Sequence, residues 1–244
     1  LGDVYKRQVL RTATSLGIAV CDLPRDRGLR PPSRSRSAIG IVPITATQCT
    51  AATLRALGEQ REQPHLIRDA DPARDAAACA AVYAPFVTDS AASFEERPPT
   101  PEEFGRRIER ISETHPWLVA DDAGRVVGFA YGCPHRERAA YRWAADVSVY
   151  VAPEHHRRGI GRALYSSLLA LLVRQGFHVA CGGITLPNDA SVALHESFGF
   201  RLVGIYRRIG FRRGAWWDVG WWELELREPA PPTELSAPLP LTDL

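Results

Sequence analysis

The chain of 244 residues contains no methionine, and its five cysteines are scattered, with no C-x-x-C pair among them. That spacing argues against a disulfide framework and against a zinc site, and it favours a reducing cytosol. No stretch approaches the roughly 18 consecutive apolar residues of a membrane span. The formal net charge of +2 is too small to indicate a polyanion or a membrane surface as a partner.

The small net charge hides a difference between two parts of the chain. Residues 1–64 carry 10 Lys and Arg against 5 Asp and Glu, whereas residues 65–244 carry 20 against 23. The first part lacks sustained periodicity, so we expect a disordered or spurious leader over 1–64. A basic nucleic-acid arm is the alternative, although no aromatic residue interleaves its arginines. Because Asp3–Gln8 is similar to a translated sequencing adapter, we interpret residues 1–8 as an assembly artefact.

Periodicity and capping residues predict a folded domain over 65–228. The predicted order of elements is β-α-α-β-β-β-α-β-α-β-β, which is typical of the α/β class, with a mixed sheet and helices on its faces. Asp71 and Thr100 each precede a proline at the first helical position and supply N-caps. The pattern predicts one long strand over Tyr141–Val151, and the Pro-rich residues 229–244 predict an extended tail.

One strand–turn–helix junction carries most of the chemical information. The strand Val147–Val151 runs into a basic turn with two closely spaced glycines, Gly159 and Gly161, where a helix begins. A helix N-terminus offers unpaired N–H groups and the positive end of its dipole to an anion, and glycine lets the backbone approach a phosphate. Arg157 and Arg158 add positive charge. The junction therefore predicts a pyrophosphate site.

Two nucleotide-binding motifs do not fit this junction. A Rossmann site needs the glycine-rich turn after an early strand, with an acidic residue about 20 residues further on. Here the turn follows the fourth predicted strand. A Walker loop needs Lys and then Ser or Thr after its second glycine, but this chain has Gly161-Arg162-Ala163.

The segment His156–Gly161, read as HRRGIG, resembles the pyrophosphate loop Q/R-x-x-G-x-G/A of the GNAT N-acetyltransferase superfamily, with His156 in place of Gln or Arg. The order of elements is similar to that superfamily as well. Further segments within roughly 66–228 resemble phosphinothricin N-acetyltransferases and their methionine sulfoximine-acetylating relatives. These segments are Phe94-Glu95, Pro116–Ala120, Tyr141–Trp143, Leu186–Asp189, Leu194–Glu196 and Trp217–Gly220, with a similar tail at Leu239–Leu244.

The resemblance implies the GNAT fold and the direct transfer of acetyl from acetyl-CoA to the α-amino group of a phosphinothricin-like amino acid, without a metal. It also implies a homodimer. The cysteine pattern predicts a cytoplasmic protein, and the charge balance predicts neither nucleic acid nor a membrane as a partner. Two alternatives stay open. One is a broad-specificity amino-acid or amine N-acetyltransferase, and the other is a catalytically weak acetyl-CoA-binding regulatory module.

Two residues are catalytic candidates by the same resemblance. The family places a glutamate as general base on the central strand, where this chain has Asp146. Aspartate is one methylene shorter, so a bridging water would complete its contact with the amine. A carboxylate that only pairs with Arg142 or another cation is the alternative. His195 matches a family histidine implicated in catalysis and shares a helical face with Ser191, and a buried, hydrogen-bonded histidine is its alternative.

The remaining site residues also follow from the resemblance. For the cofactor it implies backbone contacts from an incompletely paired strand, a phosphate loop and two residues of a later helix: Val149, Tyr150, Val151, Arg157, Arg158, Gly159, Ile160, Gly161, Arg162, Asn188 and Ser197. For the acceptor it implies an apolar wall and partners for acidic groups, which arginine matches in geometry: Phe94, Arg136, Arg138 and Tyr141. The adjacent His155 and His156 are predicted to be surface residues that flank the phosphates.

Overall fold

A computed structural model describes residues 65–228 and 237–241. The predicted leader over 1–64, the proposed artefact at 1–8 and the rest of the tail lie outside these residues. The described strands are β1 (Leu66–Asp69), β2 (Trp117–Asp122), β3 (Arg125–Pro134), β4 (Ala144–Val151), β5 (Val179–Leu186), β6 (Arg201–Arg212) and β7 (Ala215–Glu225). The described α-helices are α1 (Pro72–Thr88), α2 (Pro101–Ser112), α3 (Ile160–Gln175) and α4 (Asp189–Ser197). The predicted order of elements is confirmed. None of these four helices has the length and apolarity needed to cross a lipid bilayer.

All seven strands form one mixed sheet in the order β1-β2-β3-β4-β5-β7-β6. The neighbours are antiparallel except for β4 and β5, which are parallel. Pairing between β4 and β5 ends at Asp146, which lies opposite Cys181. By contrast, β3 stays paired with β4 as far as Val151. Beyond Asp146, therefore, β4 and β5 diverge and the sheet is split.

Helices cover both faces of the sheet. On one face, Leu164 of α3 packs in a core with Val147 of β4. On the other face, Phe104 of α2 packs in a second core with Phe129 of β3. Because side chains alternate along a strand, Asp146 faces the side covered by α1 and α2. The split between β4 and β5 therefore lies in a sheet that has a hydrophobic core on each face.

The helix starts follow the predicted caps. The Asp71 side chain accepts hydrogen bonds from the N–H groups of Ala73 and Arg74 at the start of α1. Thr100 and Glu103 form a reciprocal capping box at the start of α2. Each cap binds N–H groups that have no partner within the helix, so these local residues set where the two helices begin.

The predicted strand over Tyr141–Val151 starts too early. The structure has a 3-10 helix at Ala139–Tyr141, and β4 begins at Ala144. The N–H of Tyr141 donates to the carbonyl of Arg138 at 2.9 Å. The reason is topological, because the chain must reverse direction here to bring β4 antiparallel to β3.

The described part of the tail, residues 237–241, is hydrogen-bonded to the end of α3. The N–H of Leu239 donates to the Gln175 carbonyl at 2.7 Å, and the Gln175 side-chain amide donates to the Leu239 carbonyl at 2.9 Å. Gln175 is buried. These bonds satisfy the buried amide nitrogen and tie the tail to the domain.

Candidate active site

The turn after β4 has the backbone geometry of an anion site. Gly159 is the N-cap of α3 with φ of 81°, and α3 has no side-chain cap. The N–H groups of its first turn are therefore open to a ligand. Arg157 also lies in the left-handed region, with φ of 60°. Arg157, Arg158 and Arg162 are all exposed, so their charges surround this helix end.

The other predicted loop residues, Ile160, Gly161 and Arg162, lie in the first turn of α3. The side chain of Ile160 is 1% exposed and belongs to the core, so only its backbone can face a ligand. Gly161 is half-buried and follows it in the first turn of α3. The guanidinium carbon of Arg162 lies 5.2 Å from the centroid of the Phe198 ring. Arg162 is thereby held near the end of α4.

The two histidines of the turn differ in exposure. His156 is exposed as predicted, and its Nε2 lies 2.8 Å from the carbonyl oxygen of Val151. His155 is 9% exposed, so its prediction as a surface residue is wrong. It ends a 3-10 helix, and its N–H donates to the Ala152 carbonyl at 2.8 Å. Within the described residues, neither ring nitrogen of His155 has a hydrogen-bond partner.

The predicted cofactor strand lies on the part of β4 that β5 leaves unpaired. Val149 and Val151 pack against the core under α3. The ring of Tyr150 packs on the other face, 4.9 Å from the Tyr83 ring and 5.1 Å from the Phe86 ring by centroid. All three side chains are engaged in packing. Backbone groups of alternate strand residues point to opposite edges, and the N–H of Ala152 bonds to β3. The backbone groups of Val149 and Val151 therefore face the open β5 side, while those of Tyr150 face β3.

A cleft of about 530 Å³ opens beyond the split. Its walls come from the end of α1, the turn after β4 and the end of β5, and they include Asn188 and Trp217. The Asn188 side chain also accepts a hydrogen bond from the N–H of Ser191 at 3.1 Å, so it caps α4 while it faces the cleft. Ser197 is exposed at the end of α4, and its hydroxyl donates to the Leu194 carbonyl at 2.7 Å.

At the apex of the split, Asp146 is buried and hydrogen-bonded to His135. Its Oδ1 lies 2.6 Å from Nδ1 of that ring. Burial raises the pKa of Asp146 above its usual range, and the hydrogen bond to His135 and the charge of Arg136 oppose this shift. A carboxylate with a raised pKa, paired with an imidazole, is suited to accept a proton.

His135 is the residue that sequence reasoning missed. Cys133 of β3 lies opposite Asp146, so His135, two residues further on, lies diagonally from Asp146 on the same face. The β3–β4 register is the signal that identifies the pair. The predicted start of β4 at Tyr141 misplaces the reversal between the two strands, so this register cannot be derived from it. Of the alternative that Asp146 pairs with Arg142 or another cation, the Arg142 part is wrong, because the Nε of Arg142 donates to the Ala139 carbonyl, while the ion pair of Asp146 is with His135.

A split sheet with an open strand that leads into a glycine-capped helix is the arrangement that the sequence resemblance implies. A family model described as "Acetyltransferase (GNAT) domain" matches residues 69–221. The chain belongs to this GNAT acetyltransferase family. The predicted family and fold are confirmed, and the domain is that of an N-acetyltransferase enzyme.

GNAT relatives with curated names cover most of the domain. The phosphinothricin N-acetyltransferase of Streptomyces viridochromogenes is 41% identical over 170 residues, which are 70% of this chain and 92% of the relative. The L-methionine sulfoximine/L-methionine sulfone acetyltransferase of Salmonella typhimurium is 35% identical over 167 residues, 68% of this chain and 97% of the relative. A crystal structure of a GNAT phosphinothricin acetyltransferase from Sinorhizobium meliloti in complex with AcCoA gives a TM-score of 0.65 at 33% identity, and covers 69% of this chain and 95% of that one.

The apex of the GNAT split is lined by a thiol and two aromatic rings. One ring nitrogen of His135, one carboxylate oxygen of Asp146 and the Sγ of Cys181 all lie within 4.8 Å of one another. The rings of Tyr141 and Trp221 lie 6.0 Å and 5.9 Å from the His135 ring by centroid. Burial raises the pKa of Cys181 to about 12, so its sulfur is a neutral thiol at neutral pH. The Cys181 thiol is thus not a proton acceptor at this position.

The predicted acceptor residues fall in two places. Arg136 stands beside the apex, with its guanidinium carbon 5.7 Å from the Trp221 ring centroid. Tyr141 faces His135 across the same loop, and the exposed Arg138 precedes the 3-10 helix. Phe94 lies directly over Gly210 of β6, whose missing side chain makes room for the ring. The structure therefore brings Arg136 and Tyr141 to Asp146 and places Phe94 against β6.

His195 lies on the opposite face of the GNAT sheet from Asp146. A Cβ built on Gly182 would lie 2.6 Å from Nε2 of His195. Gly182 follows Cys181, which shares a face with Asp146, and consecutive strand residues face opposite sides. The structure does not bring the two predicted catalytic residues together.

Both ring nitrogens of His195 have partners. Nδ1 faces the Ser191 carbonyl at 2.8 Å and therefore donates to it, which leaves Nε2 to accept from the Tyr165 hydroxyl at 3.0 Å. The residue is 4% exposed, and this burial lowers the pKa of His195. These contacts match the alternative named from the sequence, a buried and hydrogen-bonded histidine.

Proposed function

We propose that this GNAT domain acetylates the α-amino group of phosphinothricin, methionine sulfoximine or a similar amino acid, with acetyl-CoA as the donor. The observation that carries the proposal is the split after Asp146 and Cys181. It leads from the buried Asp146–His135 pair along open strand to the uncapped start of α3. The relatives named for these two substrates, at 41% and 35% identity, support the choice of acceptor.

The residues of the split fit acetyl-CoA. A strand rises about 3.3 Å per residue, so Val147–Val151 offers about 13 Å of open backbone to an extended pantetheine arm. The first-turn N–H groups of α3 would bind the pyrophosphate, assisted by the exposed loop arginines. Asn188 would contact the cofactor from the cleft wall. Ser197 would contribute least, because its hydroxyl is already bonded within α4.

The acceptor amino acid would bind on the His135 side of the apex. Its acidic groups need cationic partners, and Arg136 and Arg138 lie on the adjoining loop. Tyr141 and Trp221 would bound the pocket, and the ring of Phe94 would form a more distant apolar wall. The ammonium group must lose a proton before it can attack a thioester, and the Asp146–His135 pair would accept that proton.

A thiol-release assay with acetyl-CoA and a panel of amines tests this function. We expect turnover with phosphinothricin and methionine sulfoximine at kcat/KM values about tenfold or more above those for common amino acids. Turnover only with peptide N-termini would overturn the amino-acid assignment. Equal turnover across small amines would favour the broad-specificity enzyme, and acetyl-CoA binding without turnover would favour the regulatory module.

Arg136→Gln tests the acceptor site. Loss of a charge-assisted contact should raise KM for phosphinothricin about tenfold while KM for acetyl-CoA stays unchanged. Arg110→Gln, which removes an exposed arginine on α2, is the matched control and should change neither value. Equal KM values in both variants and the wild type would remove Arg136 from the proposed site.

We further propose a homodimer through the β6 edge of the sheet. This edge strand and the adjoining hairpin carry large apolar side chains that are 51–62% exposed: Leu202, Val203, Tyr206, Phe211 and Trp216. An open edge with an apolar surface favours self-association. Light scattering should give twice the chain mass, and Val203→Glu should give a monomer. Leu66→Glu on the opposite edge is the control, and a monomeric wild type would overturn the dimer.

We also propose that the enzyme acts in the cytoplasm and confers tolerance to phosphinothricin. The described cysteines Cys79, Cys133 and Cys181 are all free, as expected in a reducing compartment. Expression in a sensitive bacterium should raise the phosphinothricin concentration that permits growth, and Asp146→Asn should abolish this gain. Activity recovered only from the periplasm would contradict the location.

A further inference from the structure

We propose that Nε2 of His135 is the atom that takes the proton from the acceptor amine, and that Asp146 orients this imidazole. The inference rests on the proposed function and deepens it. The family resemblance implies a strand carboxylate as the base. In this chain the geometry points to a carboxylate–imidazole pair with the histidine at its reactive end.

The hydrogen bond between the two residues sets which ring nitrogen is free. When Asp146 is ionised its oxygen can only accept, which places the proton of the 2.6 Å contact on Nδ1 of His135. Nε2 then holds a lone pair. Within the described residues, no hydrogen bond to Nε2 of His135 is present. The atom is therefore available to a substrate proton.

His135 is the more exposed member of the pair. The His135 side chain is 18% exposed, against 12% for Asp146. Its ring lies near those of both Tyr141 and Trp221, and Arg136 lies over the same tryptophan. An amino acid held by Arg136 would therefore meet the imidazole before it meets the carboxylate.

The pair also accounts for the short side chain at position 146. An aspartate in place of the family's glutamate leaves a gap of one methylene, and the sequence suggested a bridging water to fill it. The imidazole of His135 takes that place. It extends the reach of Asp146 toward the pocket.

The proposed transfer balances without any further reactant. Nε2 of His135 accepts one proton from the substrate ammonium, and Asp146 stabilises the imidazolium, as in Asp–His pairs of other enzymes. The amine nitrogen then forms a C–N bond to the thioester carbonyl carbon, and the C–S bond breaks. The departing thiolate takes the second proton of the nitrogen. The imidazolium finally releases its proton to water.

Other titratable groups near the ring do not compete for this role. Burial raises the pKa of Cys133 and of Cys181 to about 12 each, so both are neutral thiols at neutral pH. The groups that face the pair from every adjoining element are Cys133 on β3, Cys181 on β5, Arg136 and Tyr141 in the loop and Glu223 on β7.

Three variants test the assignment in the full chain. His135→Ala should lower kcat about 100-fold or more, with KM for acetyl-CoA unchanged. His135→Asn keeps an N–H donor for Asp146 but has no basic nitrogen, so it should unfold at the wild-type temperature and be as inactive as His135→Ala. His178→Ala, a histidine outside the site, should retain wild-type turnover. Wild-type kcat in His135→Asn would overturn the proposal.

Two further readouts separate a base from a merely structural residue. Millimolar imidazole should restore turnover to His135→Ala at least tenfold and leave the wild type unchanged. The acidic limb of the kcat/KM pH profile should disappear in His135→Asn. If that limb persists and imidazole does not restore activity, Asp146 acts directly and the proposal is wrong.

Absence of turnover with every acceptor would overturn the proposed function but would not test the Asp146–His135 pair. A spectroscopic measurement tests the pair independently of turnover. In long-range 15N NMR spectra, the His135 signals are those missing from His135→Asn. We expect the tautomer with the proton on Nδ1 in the wild type, and a loss of this preference in Asp146→Asn. A proton on Nε2 in the wild type would overturn the assignment of the base.

Discussion

Asp146 and Cys181 form the last paired position between β4 and β5, and the sheet is split from that point on. The same position carries the buried carboxylate whose pKa burial raises. The place where hydrogen bonding between the two strands ends is thus also where the buried Asp146–His135 pair lies. A donor bound along the open strand would present its acyl group to that pair.

Asp146→Asn should stabilise the fold at neutral and basic pH while it abolishes turnover. Burial raises the pKa of Asp146 in the folded state, so the stability linked to its protonated form is present at low pH and is lost as pH rises through the folded pKa. Asparagine avoids that loss. Urea unfolding should therefore show the variant ahead of the wild type at about pH 8, with a gap that closes toward about pH 4.

The exposed Asp69→Asn is the control for this measurement, and it should give no comparable gap. A wild type more stable than Asp146→Asn at every pH would show that the ionised carboxylate is not disfavoured in the fold.

His195→Ala should lower stability more than catalysis. The variant leaves a buried cavity and removes the partner of the Tyr165 hydroxyl, which together should cost about 2–4 kcal/mol. Because the ring lies on the face of the sheet away from Asp146, kcat of the folded protein should stay within about threefold of wild type. Urea denaturation and initial rates measure the two effects. A 100-fold loss of kcat at unchanged stability would instead support the catalytic role implied by the resemblance.

Gly159→Ala should weaken acetyl-CoA binding through backbone strain. Gly159 has φ of 81° with nothing within 4 Å of an added Cβ, so the substitution strains the backbone without a steric clash. The expected cost is about 1 kcal/mol of stability, together with an increase of about tenfold in KM for acetyl-CoA.

Gly214→Ala is matched to it, because Gly214 has φ of 74° and equally open surroundings in the β6–β7 turn. It should lose similar stability and keep the wild-type KM. If both variants raise KM alike, the phosphate site does not depend on the geometry at Gly159.

Asp75→Asn should destabilise the domain in a pH-dependent way. Burial alone would raise the pKa of Asp75, but hydrogen bonds from Arg68, Arg74 and the N–H of Asp71 lower it to about 2. A lowered pKa means that the stabilisation is present above the unfolded value and is lost as pH falls through the folded one.

Removal of one partner from such a buried ion pair should cost about 3 kcal/mol at neutral pH. The difference from wild type should shrink between about pH 4 and about pH 2 in chemical denaturation. Asp121→Asn, which contacts the same Arg68 from a more exposed position, should cost less. A pH-independent difference for Asp75→Asn would assign its effect to packing.

Much of the fold could be read from the sequence because its signals are local. Asp71 and Thr100 cap the helices that follow them, and Gly176 ends α3 with φ of 99°. Such contacts join residues a few positions apart, so sequence spacing alone describes them. The start of β4 was misplaced because the 3-10 helix at Ala139–Tyr141 depends on where β3 ends, and no local signal marks that reversal.

The sequence by itself determined the order of the elements, the glycine-capped start of α3 and the position of the carboxylate at Asp146. Only the tertiary structure decided that His135 bonds Asp146, that His155 is buried and that His195 lies on the other face of the sheet. The reason is physical: a strand side chain faces one side or the other according to register, and register is set by pairing between segments far apart in the chain. The chemistry at Asp146 was therefore visible in the sequence, while its partner was not.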